Sequence, residues 1–124
     1  MIIGVGIDMV HARRMERWRG TNGLLERYFH PGELEAAISR GGGANLSLAA
    51  RFAAKEAFGK ALGTGLAGIV LKDIMVINNT GGKPALQVFE SALTALRESG
   101  ANRIHLSLTH EKDTAAAMVV LEKV

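Results

Sequence analysis

Two carboxylates, Asp8 and Glu56, are the residues whose types and surroundings could carry chemistry. Asp8 interrupts the apolar segment Gly4–Val10, although strand interiors disfavour aspartate and glycine. Glu56 lies in an alanine-rich helical segment, one turn before Lys60. Carboxylates from two separate elements suit a hard cation such as Mg²⁺, which keeps several waters and recruits phosphate oxygens as further ligands. The pattern therefore indicates a divalent-metal site that handles phosphate.

Each carboxylate also has a purely structural interpretation. Asp8 could end the first strand and cap the helix that follows it. Glu56 and Lys60 could form a surface ion pair that stabilises the helix by about 0.3 kcal/mol. Arg51 and Lys55 form a second pair at the same spacing, which the helical wheel predicts further round the helix and nearer to water. The residues alone leave these alternatives open.

A second polar group, Ser107-Leu108-Thr109-His110-Glu111, stands at the end of a predicted strand. Ser107 and Thr109 share one sheet face by the period of two, and His110 marks the strand exit. No glycine-flanked nucleophile elbow surrounds Ser107, which disfavours a Ser–His–acid hydrolase.

Two glycine loops, Gly63-Thr64-Gly65 and Gly81-Gly82-Lys83-Pro84, complete the candidate segments. Taken singly, each is more typical of an ordinary turn than of a ligand site. Neither matches the P-loop pattern, and no dinucleotide-binding glycine motif follows a strand.

Composition limits the classes of protein. The 124 residues fit a single domain over 1–124, and 48% of them are hydrophobic, which mildly favours self-association. The absence of cysteine excludes disulfides, thiolate zinc sites and a cysteine nucleophile. No apolar run approaches the roughly 18 residues of a membrane span, and no basic segment precedes the apolar N-terminus. These features predict a cytoplasmic protein with no membrane partner.

Charge is concentrated in the first half of the chain. Residues 11–60 hold nine Arg or Lys and five Glu, whereas residues 61–124 balance to zero. Such a segment suggests a nucleic acid, a phosphate ligand or an acidic protein as partner, and a solvated basic surface is equally compatible. Sparse aromatic residues weaken the nucleic-acid alternative.

Periodicity and turn residues predict the elements that must position these side chains. We expect strands over Ile2–Val10 (ending near Asp8), Ile74–Ile77, Pro84–Val88, Ile104–Thr109 and Ala115–Leu121, and helices over Met15–Arg19, from Pro31, from Ser47 (N-cap) to Leu62, and over Glu90–Glu98. Gly41-Gly42-Gly43 is predicted to be a flexible loop. Strands clustered in hairpins indicate an α+β fold, with a long alanine-rich helix packed on a mainly antiparallel sheet.

In this order the segments resemble the small bacterial type of 4′-phosphopantetheinyl transferase, the holo-[acyl-carrier-protein] synthase family. The resemblance covers essentially the whole chain. It is carried by Gly6-Ile7-Asp8, the run Arg51-Phe52-Ala53-Ala54-Lys55-Glu56-Ala57-Phe58-Gly59-Lys60-Ala61, Gly63-Thr64-Gly65, Gly82-Lys83-Pro84 and Ser107-Leu108-Thr109-His110.

The resemblance implies transfer of phosphopantetheine from coenzyme A to a carrier-protein serine, in support of fatty acid biosynthesis. It implies Asp8 and Glu56 as Mg²⁺ ligands, with Glu56, Lys60 and His110 as catalytic residues. For coenzyme A it implies contacts from Arg51, Gly63, Lys83, Pro84, Thr109 and His110. A homotrimer with active sites between neighbouring subunits is also implied.

The resemblance further implies an acidic acyl carrier protein as partner. Its docking residues would be Arg13, Arg14, Met15 and Arg17, with Leu24 as a further apolar contact. The competing hypothesis is a non-catalytic nucleotide- or nucleic-acid-binding module that uses the basic first half of the chain.

Overall fold

A computed structural model describes all residues, 1–124, as five strands and five α-helices. In chain order they are β1 (Ile2–His11), α1 (Ala12–Arg19), α2 (Leu24–Tyr28), α3 (Pro31–Ile38), α4 (Ala44–Leu62), β2 (Ile74–Asn78), β3 (Pro84–Val88), α5 (Glu90–Ser99), β4 (Arg103–Glu111) and β5 (Thr114–Glu122). Short 3₁₀ turns cover Gly41–Gly43 and Leu71–Asp73.

Two antiparallel sheets organise the chain around the long helix α4. The larger sheet has the order β1-β5-β4, and the smaller one pairs β2 with β3. One cluster of 22 buried residues joins α4 to both sheets. The predicted α+β class, with an alanine-rich helix on an antiparallel sheet, is confirmed, and the single domain over 1–124 stays a prediction compatible with this one core.

Strand β1 and helix α4 pack with their backbones close together. A Cβ built on Gly4 would stand 1.9 Å from the carbonyl oxygen of Ala61, and one on Gly6 would stand 2.0 Å from that of Ala57. The alanine face of α4 is buried against the sheet, with Ala53, Ala54, Ala57 and Ala61 almost fully inaccessible. Small residues on both elements therefore set the distance between β1 and the helix.

Two predicted boundaries and one predicted loop were wrong. Strand β1 continues past Asp8 to His11 because Asp8 pairs with Ala117 in the ladder, and the side chain of His11 caps α1 instead. Helix α4 begins at Ala44, so Ser47 lies within its first turns and accepts a hydrogen bond from Arg51 rather than capping the helix. Gly41–Gly43 forms a 3₁₀ turn that leads directly into α4.

The face of the larger sheet turned away from α4 is apolar and exposed. Alternate residues of β1 and β5 place Val5, Ile7, Met9 and Met118 on it, with exposures between 43% and 66%. Large apolar side chains clustered on one sheet face are typical of an interaction surface. No helix is both long and apolar enough to cross a membrane.

Candidate active site

Asp8 and Lys60 meet where β1 lies against α4. Asp8 follows Gly6 by two residues and so shares its helix-facing side of the strand. Lys60 Nζ lies 3.1 Å from Asp8 Oδ1 and donates to the carbonyl oxygen of Ile7 at 3.0 Å. The Asp8 side chain is 18% exposed and that of Lys60 is 54% exposed. The carboxylate is therefore only partly accessible to solvent.

Glu56 stands one helical turn before Lys60, at the edge of the buried face of α4. It is half-buried and makes no hydrogen bond or ion pair within the chain. The predicted surface pair between Glu56 and Lys60 is not formed, because the Lys60 ammonium bonds to Asp8 across the strand. Both oxygens of the Glu56 carboxylate are consequently available to a ligand.

These residues fit a metal ion that keeps an incomplete protein shell. No three His, Cys, Asp or Glu side chains cluster to form a closed site. A semi-buried carboxylate that already attracts the Lys60 ammonium, together with an unpaired Glu56 on the adjacent helix, supplies hard oxygen donors of the kind Mg²⁺ takes. Their convergence on one ion stays a prediction.

A cavity of about 560 Å³ opens between the first half of α4, strand β2 and the end of β4. It brings together three of the predicted site residues, Arg51, Thr109 and His110. The remaining lining residues are Arg40, Gly43, Leu46, Ser47, Ala50, Val76, Asn78 and Leu108. Two guanidinium groups and an imidazole give this cavity the character of an anion site.

Arg40 was missed by the sequence reasoning. It directly precedes the glycine run that was expected to be a flexible loop. Because that run is a 3₁₀ turn leading into α4, Arg40 and Gly43 are both held at the cavity wall. Nothing in the residue pattern signals this, since the wall is formed by tertiary packing.

Arg51 and Lys55 are buried, and the prediction that they lie nearer to water was wrong. Lys55 is fully inaccessible and Arg51 is 5% exposed. Lys55 Nζ donates to Glu33 Oε1 at 2.7 Å and to the carbonyl oxygens of Leu71 and Ile74. The helical wheel could not reveal this, because the covering groups come from α3 and β2.

Burial is the largest influence on the pKa of both cations. It lowers the pKa of Lys55 below its usual range, whereas the charge and hydrogen bond of Glu33 oppose that change. The pKa of Arg51 is also lowered by burial, with Glu33 raising it and Arg40 lowering it. Glu33, which sequence reasoning also missed, is thus the counter-charge for two buried cations.

The other predicted coenzyme residues lie outside this cavity. Gly63 ends α4 with a backbone conformation in the left-handed region (φ 83°), which favours glycine. Along the helix axis it lies about 18 Å beyond Arg51. Lys83 is exposed in the β2–β3 turn, and Pro84 pairs with Asn78 at the cavity rim. Within one chain, the Asp8–Glu56–Lys60 group and Gly63 therefore lie outside the cavity that Arg51 lines.

The similarity of the chain to known proteins shows the family to which it belongs. A family model described as the 4′-phosphopantetheinyl transferase superfamily matches residues 4–119. The chain belongs to this superfamily. The family predicted from the sequence is therefore confirmed.

Relatives of this superfamily member span its full length. It is 61% identical over 98% of its length to the holo-[acyl-carrier-protein] synthase of Treponema denticola, covering 99% of that protein. The Neisseria meningitidis holo-[acyl-carrier-protein] synthase structure aligns with a TM-score of 0.88 at 36% identity, over 99% of this chain and 100% of that one. A Bacillus anthracis synthase solved with CoA (3′,5′-ADP) aligns with a TM-score of 0.81 at 36% identity, over 100% and 99% of the chains.

Helix α1 of this superfamily member presents a basic surface, but one predicted docking residue is not on it. Arg13 and Arg17 are exposed. The guanidinium carbon of Arg14 lies 5.0 Å from the ring centroids of Trp18 and Phe52, which holds the side chain in place. Met15 is fully buried in the core and cannot contact a partner, because the turn of α1 directs it at α4.

Proposed function

We propose that this chain transfers the 4′-phosphopantetheine group of coenzyme A to a serine hydroxyl of an apo acyl carrier protein, with Mg²⁺ as cofactor, and releases adenosine 3′,5′-bisphosphate. The single observation that carries the proposal is that the chain has a semi-buried Asp8 and an unpaired Glu56, together with a separate cavity lined by Arg40, Arg51 and His110. The first group suits a metal and a reacting hydroxyl, and the second suits the anionic end of a nucleotide.

The cavity supplies donors for the nucleotide end of coenzyme A. Arg51 binds the 3′-phosphate, and Thr109 and His110 contact the phosphates from the exit of β4. Arg40 adds a second guanidinium, for which fork-like pairing with phosphate oxygens is favourable. Lys83 and Pro84 border the adenine nucleotide from the β2–β3 turn, and Gly63 lets the chain approach it.

The chemical step is an in-line displacement at the phosphorus next to pantetheine. The serine oxygen forms a bond to that phosphorus while the bond to the bridging pyrophosphate oxygen breaks, and the leaving group departs as adenosine 3′,5′-bisphosphate. Glu56 accepts the serine proton, directly or through a water molecule, because no group within the chain is bonded to its side-chain oxygens. Asp8 and Glu56 would hold Mg²⁺, which when bound would supply positive charge to offset that of the pyrophosphate. Lys60 contributes a fixed positive charge beside Asp8, and His110 orients the phosphates.

A homotrimer with active sites between subunits would join the two groups that one chain keeps apart. The apolar outer face of the larger sheet (Val5, Ile7, Met9 and Met118) supports self-association, since apolar side chains this exposed are stabilised by burial. In that arrangement, the Asp8–Glu56 group of one copy faces the Arg51 cavity of its neighbour. We further propose that the enzyme acts in the cytoplasm and supports fatty acid biosynthesis, as the family resemblance implies.

Replacement of Met118 by glutamate should dissociate the trimer and abolish transfer together. Met118 is central on the outer face, opposite Ile7 on one side and Ser107 on the other, so a buried unpaired carboxylate there opposes association. Light scattering after size-exclusion chromatography measures the mass. Val70→Glu is the matched control, because Val70 is also an exposed apolar residue but lies outside the sheet. A trimeric Met118→Glu protein would count against this interface.

The function itself is tested by mass spectrometry of an apo acyl carrier protein incubated with this chain, coenzyme A and Mg²⁺. We expect the carrier to gain one phosphopantetheine group, and the gain to be abolished by chelator and restored by added Mg²⁺. A carrier whose acceptor serine is replaced by alanine serves as control. No mass gain, together with salt-sensitive binding of oligonucleotides, would instead favour the non-catalytic nucleic-acid-binding hypothesis.

Arg14→Glu should raise the KM for the carrier protein by about tenfold or more. A charge reversal at a docking surface weakens the electrostatic attraction between the two proteins and lowers their rate of encounter. The KM for coenzyme A should change less than twofold. Steady-state kinetics with each substrate varied in turn provides the measurement. Arg97→Glu, with the same change of charge on the exposed side of α5, is the control. Equal loss of coenzyme A affinity would contradict the docking assignment.

A further inference from the structure

Strand β2 has a free edge whose backbone groups are bonded by charged side chains. It pairs with β3 alone, so its other edge lacks a neighbouring strand. Val76 N donates to Glu33 Oε2 at 3.0 Å, and Arg51 Nη1 donates to Val76 O at 2.9 Å. Lys55 Nζ donates to Ile74 O on the same edge. We call Glu33, Arg51 and Lys55 the edge clamp, because together they replace the missing strand.

Glu33 is the centre of the edge clamp. Its Oε1 accepts from Lys55 Nζ at 2.7 Å and from His30 N at 3.1 Å, and its Oε2 lies 3.9 Å from Arg51 Nη1. The side chain is fully inaccessible, so no ligand can touch it. A fully satisfied buried network of this kind is rigid, and removal of its central charge leaves the buried cations without their counter-charge.

Arg51 is held on one side and free on the other. Its Nε donates to Ser47 Oγ at 3.3 Å and its Nη1 to Val76 O, whereas its Nη2 makes no hydrogen bond within the chain. No buried side-chain nitrogen in the protein lacks a partner, so Nη2 must be accessible to solvent. Because Arg51 lines the cavity, that accessible group is available to a ligand there.

We propose that Glu33 is a positioning residue for the reaction, which, through the edge clamp, holds Arg51 in the one orientation that offers Nη2 to the 3′-phosphate of coenzyme A. This inference rests on the proposed function. It assigns to a buried residue of α3, which does not line the cavity, control over selection of a 3′-phosphorylated nucleotide. Glu33 also offsets the repulsion between Arg51 and Arg40, which line the same cavity.

The test measures the affinities for adenosine 3′,5′-bisphosphate and adenosine 5′-monophosphate by isothermal titration calorimetry. The ratio of the bisphosphate affinity to the monophosphate affinity reports the contribution of the 3′-phosphate alone. We expect Glu33→Gln to lower this ratio by about tenfold, in line with the loss of one charge-assisted hydrogen bond. Arg51→Met should lower the ratio by at least as much. Adding Glu33→Gln to Arg51→Met should lower it no further. In the transfer assay, Glu33→Gln should raise the KM for coenzyme A and leave kcat within about twofold.

Leu96→Ala, which truncates a buried side chain of α5 away from the edge clamp, is the control for a general loss of stability. It should lower the melting temperature and leave the ratio unchanged. If Glu33→Gln does not fold, the double variant Glu33→Gln/Lys55→Met removes the unpaired lysine charge and should show the same loss of ratio. An unchanged ratio in the folded Glu33 variant, or in Arg51→Met, overturns the inference. Absence of bisphosphate binding and of transfer by the unaltered chain would instead refute the proposed function.

Discussion

Glu56→Gln should lower kcat for phosphopantetheine transfer by about a thousandfold, because the amide can neither accept the serine proton nor hold Mg²⁺ as a charged ligand. Glutamine keeps the shape of the side chain and loses only its charge and basicity. Since the Glu56 side chain makes no hydrogen bond or ion pair within the protein, the fold should be unaffected. Single-turnover kinetics at saturating coenzyme A and carrier isolates the chemical step.

The control for this variant is Glu98→Gln, an exposed position of α5 with no proposed part in the site. Asp8→Asn provides the companion experiment, in which raised Mg²⁺ concentration should recover part of the activity if Asp8 is a metal ligand. Circular dichroism should show native spectra for all three. An active Glu56→Gln enzyme would remove both the base and the metal assignment.

Gly6→Ala should destabilise the protein by about 3 kcal/mol or more, a large fraction of the stability of a small domain. The added methyl group would lie 2.0 Å from the carbonyl oxygen of Ala57 and 2.7 Å from the nitrogen of Ala61. Both are backbone atoms within α4, so no side-chain rotation relieves the clash. Urea unfolding at equilibrium measures the loss.

The matched control for Gly6→Ala is Gly42→Ala, because a Cβ at Gly42 meets no atom within 4 Å. Its free energy of unfolding should change by less than about 0.5 kcal/mol, as for exposed substitutions in general. A stable Gly6→Ala protein would show that β1 and α4 can move apart without a loss in the free energy of unfolding. In that case, the distance between Asp8 and Lys60 would not be set by the glycines.

These two variants test different parts of one geometry. The glycines of β1 allow α4 to approach the strand, and that approach brings Lys60 within 3.1 Å of Asp8. Glu56 depends on the same approach, since it stands on the turn of α4 before Lys60. Packing at Gly4 and Gly6 is thus a precondition of the chemistry proposed at Asp8 and Glu56.

Much of the fold could be predicted from local patterns. The alanine-rich run, ended by Gly63, predicts α4, and alternation with turn residues predicts all five strands. The family resemblance arises from short motifs that follow one another in a particular order along this chain, and it was confirmed by the match over residues 4–119. The roles of the individual site residues stay predictions.

Boundaries and burial could not be predicted in the same way. Strand β1 reaches His11 because β5 continues to pair with it, and α4 starts at Ala44 because the glycine turn before it folds into a 3₁₀ turn. Met15 resembles a docking residue within a basic helix, but α4 covers it completely. In each case, the deciding contacts come from elements distant in sequence.

The sequence by itself determined the five strands and four of the five α-helices, with the charged residues they carry, because helix and strand periodicity, glycine stops and the motif order are local properties; α2 (Leu24–Tyr28) was not predicted. Only the tertiary structure decided the partners of those charges. Lys60 bonds to Asp8 rather than Glu56, and Lys55 and Arg51 are buried against Glu33 and the free edge of β2. The physical reason is that the pairing of a charge depends on which groups surround it in space, and those groups come from segments that the chain brings together only on folding.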